Sequence, residues 1–287
     1  MAQRKQNIKL LVILAGAGEL PQIALQEALS QGLQPLVYLA SGGEAQRTRL
    51  LEIYRQHNID GTKLIKEISA ARVGALIKAL KKDGASHMII LGKIEKKKVF
   101  REGVFDATTL KLIAQARDLG DATIFSIVAR EVEKTGVKLL EQRYFLATLL
   151  LSPGVYSRKK PGREEQEIIE YGMQYARKMG DLDIGQTIVA GQKMILAVEA
   201  VEGTDEAIRR GGELAGKKKA IVCKAQRKRQ DPRFDIPTVG LDTIAVMKES
   251  GCRGLAIEAE KTFVVNPEAF IKEINRQGLI FAVVKIP

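Results

Sequence analysis

Residues Lys9 to Leu14 form an apolar run that breaks into Ala15-Gly16-Ala17-Gly18-Glu19-Leu20-Pro21 and resumes as a helical pattern carrying Ile23, Ala24 and Ala28. A buried strand, a glycine turn and a helix with proline near its first position open a βαβ unit, which commits the chain to a parallel sheet covered by helices. The pattern recurs. Pro35 to Ala40 reads as a second strand, Val73 to Leu80 as an amphipathic helix, and His87 to Leu91 as a buried strand leading into Gly92-Lys93. Leu119-Gly120-Asp121-Ala122 is a further glycine turn, ahead of a helix from Thr123 to Glu133. Ligands of such sheets gather beyond the carboxyl ends of the strands, where amides at a helix start can meet phosphate oxygens. Gly16, Gly18 and Gly92-Lys93 occupy those ends, although a plain tight turn accounts for the first loop equally well. Asp121 is either a helix cap or a site carboxylate. A dinucleotide cofactor is disfavoured, because Pro21 stands at the third glycine of the fingerprint and the second strand runs into Ser41-Gly42-Gly43 with no acidic residue for a ribose diol.

The composition changes after Leu151. Ser152-Pro153-Gly154 and Arg158-Lys159-Lys160-Pro161-Gly162 are polar and turn-rich, and predict a linker over 153–163 between a Rossmann-like domain, 1–152, and a mixed α/β domain, 164–287. In the second domain Glu164 to Met179 reads as a helix, and Thr187-Ile188-Val189 and Met194 to Val198 as a hairpin. Thr204 is placed to cap a helix from Glu206 to Leu214. Asp205 and Glu206 are ordinary partners of a helix start. Glu199 and Glu202 flank the exit of an apolar strand and are harder to explain structurally. Further strands are expected at Gly254 to Glu258, Thr262 to Val265 and Leu279 to Val284, with a helix opened by Pro267.

The stretch Lys224 to Gly240 gathers Lys224, Arg227, Lys228, Arg229 and Arg233 with Asp231, Asp235, Pro232 and Pro237, a composition no core can use. Either it is a solvated basic loop, or its cations hold an anion while a carboxylate holds a divalent metal. Phe234-Asp235-Ile236-Pro237 sets a carboxylate between apolar anchors, which favours the second reading. The net charge of +12 also suits an anionic partner. Nucleic acid is disfavoured by the absence of Trp, the few aromatic residues and the lack of a recognition motif. Phosphorylated metabolites and an anionic bilayer surface remain. Cys223 and Cys252 lack metal-ligand spacing and read as buried free thiols, and His57 and His87 are isolated, so catalysis falls to carboxylates, lysines or an oxygen-held metal. With no signal-peptide core and no spanning apolar run, a cytoplasmic protein is expected.

The combination of Ala15-Gly16-Ala17-Gly18-Glu19-Leu20-Pro21, Leu182-Asp183-Ile184-Gly185-Gln186, Ala197 to Asp205 with its Glu202-Gly203-Thr204-Asp205, and Arg233-Phe234-Asp235-Ile236-Pro237-Thr238-Val239-Gly240 resembles the LpxI family of UDP-2,3-diacylglucosamine pyrophosphatases. The resemblance spans nearly the whole chain. It implies an N-terminal Rossmann-like domain, a C-terminal domain of LpxI type, and Mg²⁺-dependent hydrolysis of UDP-2,3-diacylglucosamine to 2,3-diacylglucosamine 1-phosphate and UMP in lipid A synthesis. The essential aspartate of the family falls on Asp235. On this reading Asp235 is catalytic and a metal ligand, with Glu199, Glu202 and Asp205 as further metal candidates. Substrate would be taken by Gly16, Gly18, Glu19, Leu20, Gly92, Lys93, Gly120, Asp121, Gln186, Gly203, Thr204, Lys224, Arg233 and Thr243, with Lys224 and Arg233 clamping phosphate. Contact with the inner face of the cytoplasmic membrane and a homo-oligomer are compatible with it.

Overall fold

Runs of Val, Ile and Leu that are apolar at consecutive positions suit strands buried on both faces, and the first such run, β1 (Leu11–Ala15), is buried throughout. The computed structural model describes residues 7–94, 104–115, 121–216, 219–228 and 230–286, without the side chains of 121–124. By packing, these fall into two units, one comprising Met1–Leu146 with Asp231–Asp235, the other Ala147–Gln230 with Ile236–Pro287.

In the first unit β1, β2 (Leu36–Leu39), β3 (Ile65–Glu67), β4 (His87–Leu91) and β5 (Lys138–Leu139) pair in parallel in the order β3-β2-β1-β4-β5. That is the order of a doubly wound sheet, in which the central strand ends at the ligand crevice. Helices Leu20–Ser30, Gly43–Gln56, Val73–Asp83, Ala107–Gln115 and Asp121–Glu133 alternate with the strands. Val12, Leu14, Tyr38, Leu76, Leu80, Met88 and Ile90 share one core. The helix expected over Val73 to Leu80 runs on to Asp83, where Gly84 at φ 71° ends it.

The second unit carries β6 (Gly154–Val155), β7 (Thr187–Gly191), β8 (Met194–Val198), β9 (Ile221–Lys224), β10 (Thr238–Val239), β11 (Gly254–Glu258), β12 (Phe263–Val264) and β13 (Ile280–Val284). Six of them form a mixed sheet in the order β6-β13-β11-β9-β7-β8, and β10 pairs with β12 separately. β9, β11 and β13 are parallel, whereas β7 runs against β9 and folds back into β8 as the expected hairpin. Residues alternate across the sheet with the period of two that a strand imposes. Ile188, Ala190, Ile221, Cys223, Ala256 and Ala282 pack with Ile168, Ile169, Met173 and Ala176 of the helix Arg163–Asp181. Val189, Val222, Leu255, Ile257, Phe281 and Val283 pack on the opposite face with Ile208, Ile244, Met247, Phe270 and Ile274. Cys223 and Cys252 are buried free thiols, and burial pushes the Cys252 thiol up to about 11.

The stretch 153–163, read above as a linker, lies within the second unit. Gly154 and Val155 pair with Val283 and Ala282, and the buried Ser157 hydroxyl accepts the Phe281 amide at 2.9 Å. Proline and glycine argue against a helix there but leave room for a two-residue edge strand. No helix among the described residues is long and apolar enough to cross a membrane.

Candidate functional site

In the first unit two strand-end turns are stitched together. The Gly16 amide donates to the Leu91 carbonyl at 2.7 Å, and Ala17 and Lys93 exchange amide-to-carbonyl bonds at 2.9 Å each. A Cβ on Gly16 would meet the Gly92 carbonyl carbon at 2.7 Å, and one on Gly92, which lies at φ 83°, would meet the Ala17 oxygen at 2.7 Å. Only glycine allows that approach. Buried Gln46 supports the loop from inside, donating to the Gly16 and Gly18 carbonyls at 3.2 and 3.0 Å, and Gln22 donates to its Oε1 at 3.0 Å. Glu19 takes the N-cap position of Leu20–Ser30 without capping through its side chain, and both Glu19 and Lys93 are exposed. Gln46 carries no sequence signal. Gly120 and the Asp121 side chain lie outside the described residues, and Asp121 is the first residue of its helix.

The segment Asp231–Asp235 also belongs to this unit. Arg233, read above as a phosphate clamp, has partners within its own unit. Its Nε and Nη2 donate to Asp231 at 2.9 and 2.6 Å and its Nη1 donates to Glu133 at 2.6 Å, so the guanidinium fork is taken up in holding the loop. Burial pushes the Asp231 carboxyl up, but the hydrogen bonds from Arg233 outweigh it and hold it below the usual carboxylate range. Buried Phe234 stacks on Phe125 with ring centroids 5.2 Å apart, and the Pro232 carbonyl accepts the Gln142 amide at 2.9 Å. Asp235 itself is exposed, at φ 64°, between buried Phe234 and Ile236. A left-handed conformation is uncommon for a residue with a side chain, though Asp tolerates it, and it occurs where the surroundings dictate it.

In the second unit the carboxyl ends of β8 and β9 meet the start of β7. Buried Lys224, the last residue of β9 and register partner of Thr187, donates from Nζ to Thr204 Oγ1 at 2.9 Å. Thr204 in turn donates to Glu199 Oε1 at 2.7 Å, and Glu199 Oε2 accepts the Gln186 amide at 3.3 Å. Gly185 makes this possible. A Cβ there would fall on the Glu199 carbonyl oxygen and lie 2.7 Å from its carbon. Thr204 is therefore not the cap it was expected to be. Gly203, at φ 92°, takes the N-cap position and Thr204 opens the helix Thr204–Ala215, which frees its hydroxyl for Glu199 and Lys224. Thr243, expected to touch substrate, is buried and accepts the Gly240 amide at 3.4 Å at the start of the helix Leu241–Glu249.

The carboxylates expected to hold a hard cation differ in their partners. Glu199 is committed to Thr204 and Gln186, and Glu202 to Arg210 and the Ala200 amide at 2.9 and 3.2 Å. Among the described residues no three His, Cys, Asp or Glu side chains cluster into a metal cage. Mg²⁺ does not require one, since it commonly takes one or two carboxylates and completes its shell with phosphate oxygens and water. Asp235, and Asp205 in the first turn of its helix, are both exposed and fit that donor chemistry.

Comparison with known proteins supplies independent information. The sequence model of the LpxI N-terminal domain matches residues 10–149 and that of the LpxI C-terminal domain matches residues 152–282. A curated relative from Caulobacter vibrioides, UDP-2,3-diacylglucosamine pyrophosphatase LpxI, is 31% identical over 224 residues, which cover 74% of this chain and 79% of the relative.

Proposed function

The chain belongs to the LpxI family, and from that premise we propose that it hydrolyses the pyrophosphate bond of UDP-2,3-diacylglucosamine in lipid A synthesis, with Mg²⁺, to 2,3-diacylglucosamine 1-phosphate and UMP. The observation that carries this reading is Asp235, an exposed carboxylate fixed in a left-handed conformation on an anchored loop. Water forms a bond to one phosphorus as the bridging oxygen leaves with the other. Asp235 orients that water by accepting a hydrogen bond from it. Such a reaction asks the protein chiefly for alignment and for neutralisation of charge on the phosphate oxygens. Bound Mg²⁺ supplies part of that neutralisation, and Asp235 would hold it together with substrate oxygens. Lys224 donates to a phosphate oxygen, with Thr204 and Glu199 aiming its ammonium group. The glycine turns at Gly16 and Gly92 offer backbone amides to the nucleotide phosphates.

The test is incubation of the protein with Mg²⁺ and UDP-2,3-diacylglucosamine, with UDP-sugars lacking acyl chains as controls. UMP is expected from the acylated substrate alone, and its release is expected to stop on chelation of the metal. Equal release from the controls, or none at all, would overturn the reading. The excess positive charge further suggests that the enzyme meets its lipid at an anionic bilayer. With substrate in anionic vesicles the rate should fall as salt rises, and a salt-independent rate would remove the membrane step.

Thr204→Val is expected to lower kcat roughly tenfold, because Lys224 and Glu199 lose the hydroxyl between them. Thr204→Ser should recover most of the loss in the same steady-state assay.

A further inference from the structure

Glu258 and its partner Arg177 carry no role in the reading above, yet Glu258 closes β11 at the same carboxyl end of the sheet at which Lys224 closes β9. In the parallel pair of β9 and β11, Lys224 lies opposite Ile257, so Glu258 is one step beyond it. The Glu258 carboxylate is buried, and both of its oxygens are engaged. Oε1 accepts from Arg177 Nη2, on the helix Arg163–Asp181, and Oε2 accepts the Gln226 amide at 2.9 Å. The preceding amide, of Ala225, donates to the Gln186 carbonyl at 3.0 Å. Two successive amides after Lys224 thus turn to different partners, and the chain leaves the sheet at that point. Further out, Arg227 pairs with Asp183 and the Lys228 amide donates to Asp181 at 2.9 Å.

Packing alone does not ask for charge here. A desolvated ion pair is commonly no more stable than an apolar pair of the same volume, and Arg177 in addition buries its Nε with no hydrogen-bond partner. What an apolar pair cannot do is accept the Gln226 amide from a fixed direction. Resting on the proposed pyrophosphatase reading, we propose that Arg177 and Glu258 are positioning residues for the phosphate chemistry, setting through the Gln226 amide the strand exit that presents Lys224.

The experiment replaces the pair by apolar residues, Arg177→Met with Glu258→Leu, and separately makes Glu258→Gln, measuring melting temperature, kcat and KM on UDP-2,3-diacylglucosamine. The double variant is expected to stay folded, melting no more than about 6 °C below the parent because the Gln226 amide loses its acceptor, while kcat falls on the order of a hundredfold and KM rises no more than about tenfold. Glu258→Gln, which turns an N–H donor toward Arg177 or Gln226, is expected to lower kcat in the same way. A stable double variant that keeps kcat within about threefold would overturn the proposal, as would failure of both variants to fold, since the pair would then be a stability element. If the parent does not hydrolyse the substrate, the pyrophosphatase reading fails by itself. The pair is then judged on the Kd for UDP, which the proposal expects to weaken roughly tenfold in both variants and which an idle pair would leave unchanged.

Discussion

Asp235→Asn is expected to lower the hydrolysis of UDP-2,3-diacylglucosamine by roughly a thousandfold or more while moving the melting temperature by no more than about 2 °C. The choice of asparagine follows from the backbone. Asp235 lies at φ 64°, where Asn is among the residues best tolerated, so the substitution removes the charge without adding strain. Volume is also kept, and the anchors on either side, Phe234 and Ile236, are untouched. Asp235→Leu would mix two effects, because a branched aliphatic side chain resists the left-handed region. Full activity in the Asn variant would remove Asp235 from the chemistry.

The second large effect is structural. Gly185→Ala should destabilise the second unit by about 3 kcal/mol or more, because the new methyl group would fall on the backbone carbonyl of Glu199 and backbone cannot swing aside as a side chain can. The transition of that unit is expected to drop by roughly 6–12 °C in differential scanning calorimetry. Activity should fall further than folding does at a temperature where the variant is still native, since displacing Glu199 also displaces Thr204 and Lys224. A transition within 1 °C of the parent would mean that the loop relaxes freely.

Much of the fold is legible in the sequence because burial imposes periods. The unbroken apolar runs give β1, β4 and β11 to within a residue or two, and Gly191-Gln192-Lys193 announces the hairpin, with Lys193 accepting φ 55°. The glycines of the first loop were also readable, since a strand, a turn and a helix in succession leave few alternatives. Partner choice is another matter. Nothing periodic tells that Arg233 meets Glu133, a hundred residues away, or that Gln46 reaches the Gly16 carbonyl. A capping rule points to Thr204 because it is local, whereas the Thr204 hydroxyl is engaged by nearby Glu199 and by Lys224 of β9, and Gly203 takes the cap position. Glu258 could have been found, as a charge closing the apolar run Gly254 to Ile257.

The first unit takes its chain from two places, Met1–Leu146 and then Asp231–Asp235, after an excursion of more than eighty residues. A gene cut between the halves would therefore produce an amino-terminal fragment without the ring that covers Phe125 and without the carbonyl that receives the Gln142 amide. The other fragment would carry those five residues with nothing to seat them. Coexpressed fragments should therefore restore the packing around Phe125 only when the second supplies Asp231–Asp235 to the first.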